Sequence, residues 1–184
     1  MPYLTAGLIL VGLIGVTNLL FTFGVIRRLR EHTTLLARGV GSEPMLVMRA
    51  AGEFTDDFTV TTVDGDQVGR DLVTKRTLVG FFTPTCPSCR EQLPDFTAFA
   101  EGWSGGRRQV LAVVVSSDDA AAVPIVEALM PVARVVREDD GGVLTSAFGV
   151  RGFPAFAVLD AGGALHVSGS ALAAVSDVAN TATA

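Results

Sequence analysis

The sequence predicts an α/β domain carried behind one N-terminal transmembrane helix, and three observations predict it. Tyr3 to Ile26 are 24 consecutive residues without a charge, rich in Leu, Val, Ile, Phe and Gly. From Phe54 onward, short apolar runs of strand length alternate with stretches of helical spacing. The only two cysteines of the 184 residues stand together as Cys86-Pro87-Ser88-Cys89, directly behind the apolar run Leu78-Val79-Gly80-Phe81-Phe82.

Taken in chain order, residues 1–30 are expected to form the anchor. At 1.5 Å per residue the uncharged run makes a helix of about 36 Å, enough to cross a hydrocarbon core of about 30 Å. A cleaved signal peptide fits less well, because no basic stretch precedes the run, the run is too long, and no small-x-small cleavage site follows it. Residues 31–52 read as a juxtamembrane linker punctuated by Gly39, Gly41 and Pro44. The domain is expected over residues 53–180, with 181–184 as a flexible tail.

Within the domain, Phe58 to Thr62 is a candidate strand that turns at Asp64-Gly65-Asp66. Leu78 to Phe82 is a strand ended by Thr83-Pro84-Thr85. Beyond the cysteines, apolar residues at Leu93, Phe96, Phe99 and Ala100 recur with helical spacing. Val110 to Val115 is apolar throughout, as expected of a strand buried on both faces near the middle of a sheet. Ala120 to Leu129 reads as a helix in which Pro124 would suit only the first turn. Ala133 to Val136 is a further short strand and Gly142 to Phe148 a helix. Phe156 to Leu159 and Leu165 to Val167, joined by Asp160-Ala161-Gly162-Gly163, give a hairpin signal. A last helix is expected over Ala171 to Asn180.

Charge is divided unevenly along the chain. Residues 1–43 hold four arginines against two glutamates, which leaves ten basic and seventeen acidic residues, a net charge of −7, in residues 44–184. So acidic a domain repels phosphate backbones, and nucleic acid is excluded as a partner class. Arg27, Arg28, Arg30 and Arg38 lie just past the apolar run, placed to meet lipid head groups. Because every flanking basic residue is C-terminal to the run, the charge pattern points to a cytoplasmic domain.

Two thiols spaced by two residues at a helix start form a redox pair, able to close and reopen a disulfide within one turn. Unpaired amides and the positive end of the helix dipole favour an anionic sulfur there. Cys86 is therefore the expected nucleophile, attacking a partner disulfide to form a mixed disulfide that Cys89 resolves. A zinc site would need two more ligands, and the chain offers only His32 and His166. A purely structural bridge would contribute little, since closing so short a loop removes little entropy from the unfolded chain. No metal or other cofactor is expected beyond the Cys86–Cys89 disulfide itself.

The stretch LVGFFTPTCPSCREQLP, Leu78 to Pro94, resembles the strand, active-site loop and kinked helix of thioredoxin-fold proteins, with Pro94 in the place of the helix-bending proline. Gly149-Val150-Arg151-Gly152-Phe153-Pro154-Ala155-Phe156 resembles the cis-proline loop of that family. The resemblance implies a thioredoxin-like fold, a central mixed sheet flanked by helices, with a cis bond before Pro154. It places Phe153 and Pro154, with Pro87 and Ser88, in the groove that docks the substrate chain. The long spacing from Cys89 to Pro154 and the TPTCPSC motif are similar to the membrane-anchored TlpA-type and MauD-type oxidoreductases. They imply protein thiols and disulfides as substrates, a membrane or soluble electron donor, and a single-pass anchor with the domain on the outer face of the cytoplasmic membrane, opposite to the charge pattern.

Three positions depart from that pattern. Gly80 stands where thioredoxins keep a buried Asp, Thr85 where a Trp usually precedes the first cysteine, and Gln92 where TlpA-type proteins have a helix Glu. No residue is therefore named as proton relay. Thr83-Pro84-Thr85-Cys86 also carries the Thr-x-x-Cys of redoxin-type peroxidases, with Arg151 as the candidate cation, although their upstream proline is Val79 here. A thiol or Cu(I)-binding chaperone is the third reading, since paired thiolates select soft metals. Trp103 is expected to pack at the end of the active-site helix, and His166 to be a strand residue.

Overall fold

The computed structural model describes residues 46–181, with side chains through Ser176. The expected span and most of the expected linker lie outside the described residues. Among the described residues, no helix is long and apolar enough to cross a membrane.

Seven strands and four helices make up the described chain: β1 (Thr59–Thr61), β2 (Gln67–Gly69), β3 (Thr77–Phe82), α1 (Pro87–Glu101), β4 (Val110–Val115), α2 (Asp119–Leu129), β5 (Arg134–Glu138), α3 (Val143–Ala147), β6 (Ala155–Leu159), β7 (Leu165–Gly169) and α4 (Leu172–Thr181). The main sheet has the order β5-β4-β3-β6-β7, while β1 and β2 form a separate antiparallel pair. β3, β4 and β5 run parallel, each joined to the next through a helix, and β6 and β7 are antiparallel. The sheet is thus mixed, and the geometric centre is β3, with the run at Val110 beside it.

Both faces of this sheet are covered, which is why β3, β4 and β6 read as apolar runs without alternation. Leu78, Phe82, Val110, Ala112, Val114, Phe156 and Val158 meet Phe96 and Ala100 of α1, Ile125 and Leu129 of α2, and Leu172 and Val175 of α4. Alternate residues Val79, Phe81, Leu111, Val113, Ala155 and Ala157 meet Leu144 of α3 and Phe148 just past it, with Val68 of β2 and Phe58 just before β1.

Most strand and helix positions follow the sequence; β2 is a strand that the sequence reading does not give, and one helix differs locally. α2 runs straight through Pro124, which is its sixth residue and not a first-turn residue. The start of the helix is capped by the Asp118 carboxylate, which accepts from the amides of Ala120 at 2.9 Å and Ala121 at 3.2 Å. Its inner face, Ala122, Ile125 and Leu129, is buried on the sheet.

Residues 46–52, read as linker from the sequence, add to the folded unit. Met48 is only 2% exposed, in the core face that holds Phe148. The Arg49 amide donates to the Phe148 carbonyl at 3.0 Å, and the Arg151 amide to the Val47 carbonyl at 2.7 Å. Ser168 Oγ donates to the Arg49 carbonyl at 2.8 Å, and the Arg49 side chain pairs with Asp56. A short ladder therefore stitches this segment to the stretch leading into Pro154.

Truncating Met48 tests that contribution. Met48→Ala is expected to cost about 2–5 kcal/mol, and a chain beginning at Glu53 to lose more, because it also loses the ladder. Urea unfolding of the two variants beside the intact chain measures both.

Candidate active site

The site forms where β3 ends and α1 begins. Thr83-Pro84-Thr85 leaves the sheet, the Cys86 amide donates back to the Thr83 carbonyl at 3.3 Å, and Cys86 becomes the N-cap of α1 with Pro87 as its first helical residue. Proline suits that position, since its fixed φ matches the helix and its missing amide would have had no partner. One turn on, Cys89 points into the core. Both thiols are free, Cys86 half-buried and Cys89 1% exposed. Pro94 interrupts the α1 hydrogen-bond ladder without ending the helix.

From the other side of the sheet edge comes the loop before β6. The Phe153–Pro154 peptide bond is cis, as the resemblance implies. Cys86 Sγ donates to the Phe153 carbonyl at 3.3 Å across 67 residues of sequence. Of the residues expected to dock substrate, Pro87 and Ser88 are exposed and Phe153 is half-buried beside the sulfur. Pro154 is buried, so it shapes the loop from beneath and offers little surface of its own.

The environments of the two sulfurs differ sharply. Burial, foremost, pushes the Cys89 thiol from its ordinary value of 9.0 up to about 12; a hydrogen bond from the Thr83 backbone opposes this, and the Cys86 thiol adds to it. Cys89 is therefore held neutral, while Cys86 alone is within reach of solvent. Gly80 explains part of this dryness. A Cβ there would lie 2.8 Å from Cε2 of Phe96 and 2.9 Å from Cε2 of Phe82, so the two rings occupy the space a side chain on β3 would need. Phe82 and Phe96 meet edge to face at 5.1 Å, and Phe96 stacks on Phe156 at 5.7 Å.

The Redoxin family profile matches residues 49–181. The chain belongs to that family. No curated relative matches the chain by sequence. Among solved structures, the thioredoxin domain of a thiol-disulfide oxidoreductase from Bacteroides vulgatus is similar over 73% of this chain and 96% of its own, at 18% identity and a TM-score of 0.56. A secreted disulfide oxidoreductase of Mycobacterium tuberculosis, homologous to E. coli DsbE, aligns over 68% of this chain and 92% of its own, at 22% identity and a TM-score of 0.51. StoA from Bacillus subtilis covers 63% and is covered over 88%, at 20% identity and a TM-score of 0.50. These likenesses show the fold: this redoxin is thioredoxin-like, with the architecture found in those thiol-disulfide oxidoreductases.

Gln92 takes a position that sequence reasoning did not assign, while Trp103 and His166 lie where it expects them. Gln92 spans from α1 to the start of α4, where its Oε1 accepts from the Leu172 amide at 3.1 Å and its Nε2 donates to the Ser170 carbonyl at 3.3 Å. The signal was its place in the motif, read only as a departure. Thr83 and Thr85 share a hydroxyl hydrogen bond at 3.2 Å, and Arg151 is exposed. Trp103 packs edge-on against Phe99 at the end of α1, at 5.8 Å. His166 lies in β7, 3.1 Å from Asp160, at the end of β6 remote from Pro154. A cleft of about 540 Å³ near that same end, lined by Asp57, Phe58, Arg70 and Asp71, holds neither cysteine.

The neutral Cys89 thiol has a measurable consequence. Because the folded value lies above the ordinary one, stability of the reduced form is intact below about pH 9 and falls between 9.0 and about 12. The slope is about 1.4 kcal/mol per pH unit. Cys89→Ala is expected to remove that slope, read from urea midpoints of reduced protein on either side of the ordinary thiol value.

Proposed function

We propose that this redoxin is a thiol-disulfide oxidoreductase that exchanges disulfides with partner proteins through Cys86 and Cys89. In this reading the apolar segment at residues 3–26 tethers it to the cytoplasmic membrane, with the domain on the outer face. The observation that carries the activity is the pairing of a reachable Cys86 at a helix N-cap with a buried Cys89 one turn inward, under the Phe153 carbonyl.

The chemistry follows from that asymmetry. Cys86 sulfur attacks one sulfur of a partner disulfide, forming a mixed disulfide and releasing the other partner sulfur as a thiolate. Cys89 then attacks Cys86 Sγ, expelling the second thiolate and leaving the Cys86–Cys89 disulfide. The partner gains two electrons and the enzyme loses two. A membrane or soluble donor restores the dithiol, and the same steps run backward oxidise a partner. Phe153, Pro87 and Ser88 border the reacting sulfur and are the residues assigned to receive the partner chain. The fragment Thr83-Pro84-Thr85-Cys86 gives a peroxidase less support, because the two threonine hydroxyls bond each other.

Cells carrying Cys89→Ser are expected to accumulate covalent complexes that dissolve on reduction, while Cys86→Ser yields none. Equal yields from both variants on non-reducing gels would refute the division of roles. Membrane fractionation of the full chain, with a protease added from the outer face, tests tether and sidedness together.

A further inference from the structure

Among the described residues, the sulfur that must finish the exchange has no ionisable partner except the sulfur it attacks. Cys89 belongs to the core cluster that includes Leu78 and Phe82 of β3, Phe96 of α1, Phe156 of β6 and Val175 of α4. β3, β4 and β6 carry no ionisable residue, and neither do the described side chains of α4. On α1, Arg90, Glu91 and Asp95 are exposed; so are Asp119 and Glu127 of α2, and Arg151 in the loop before β6. On β3, the space a side chain at Gly80 would need is occupied by the Phe82 and Phe96 rings. Besides its burial, the Thr83 backbone and Cys86 are the groups that act on the Cys89 sulfur.

We infer that the covalent complex on Cys86 is long-lived and is released chiefly by a second thiol of the bound protein, so that the enzyme re-pairs disulfides in substrates with three or more cysteines. This rests on the exchange activity proposed above and adds the class of substrate and the outcome.

Two routes leave the mixed disulfide Cys86–S–S–R. In closure, the Cys89 proton passes to water, its sulfur attacks Cys86 Sγ, R–S⁻ departs, and the enzyme is left oxidised by two electrons. With no base beside it among the described residues and burial favouring the neutral thiol, the attacking anion is scarce at neutral pH. In re-pairing, another thiolate R″–S⁻ of the same substrate attacks the sulfur of R. R–S–S–R″ forms, Cys86 departs as the thiolate, and neither protein is oxidised or reduced overall. This route needs no proton from Cys89, and the attacking group is held on the molecule already bound, which raises its effective concentration.

Reduced full-length protein is mixed with a peptide bearing a single disulfide, quenched in acid, and resolved by mass. The mixed disulfide is expected to be the main enzyme species at neutral pH, and its conversion to the Cys86–Cys89 disulfide to accelerate about tenfold per pH unit from about pH 7 to about pH 9. With a scrambled multi-disulfide protein, re-paired product is expected before oxidised enzyme. Rapid closure independent of pH, or oxidised enzyme outrunning re-pairing, would overturn the inference. If neither substrate reacts with the dithiol at any pH, the exchange function fails and this inference falls with it.

Discussion

The seating of α1 on β3 is the constraint from which the site follows. Gly80 lacks the side chain that would hold a helix away from the sheet, and Phe96 fills that space against Phe82 and Phe156. Because the helix is pinned there, its first turn projects past the end of β3 and brings Cys86 under the Phe153 carbonyl. Close packing of this kind is stiff, so the two sulfurs inherit their separate environments from the core and not from the loop that carries them. A larger residue at position 80 would move the helix and the thiols with it.

That same packing assigns unequal roles to chemically identical side chains. Cys86 and Cys89 are three residues apart, yet one caps a helix at the surface and the other is a core residue in all but name. The aromatic cluster that makes Cys89 dry also fills the space a side chain at Gly80 would need, so the shielding of the second thiol and the bareness of β3 beside it are one feature. At the other end of the pair, Gln92 ties α1 to the start of α4, fixing the helix that covers Cys89 from the side.

Local sequence carried most of the fold. Runs such as Val110 to Val115 and Phe156 to Leu159 announce strands buried on both faces, and the cysteine motif between a strand and a periodic stretch marks the site. The cis bond at Pro154 was legible only through its motif, since nothing in Gly-Phe-Pro by itself dictates it. What stayed hidden is what depends on distant partners. Met48 reads as linker because the residues that bury it come about a hundred positions later. Gln92 reads only as a departure from a family glutamate because its partners, Ser170 and Leu172, lie about eighty positions later. Pro124 reads as a helix-start residue because the packing of Ala122, Ile125 and Leu129 on the sheet, on both sides of it, is tertiary and not local.

The separation of 67 residues between Cys86 and the carbonyl that faces it carries a consequence for biosynthesis. At translation rates of roughly 5–20 residues per second, the cysteines emerge roughly 3 to 13 seconds before Phe153. During that interval β6 has not been made, β3 lacks its antiparallel neighbour, and the aromatic wall around Cys89 is missing Phe156. Non-local pairing of this sort is slow to form even once the chain is complete. The nascent protein therefore passes through a period in which both thiols are open and equivalent, and the difference between the half-buried and the buried sulfur is acquired only when β6 and the chain beyond it close over them.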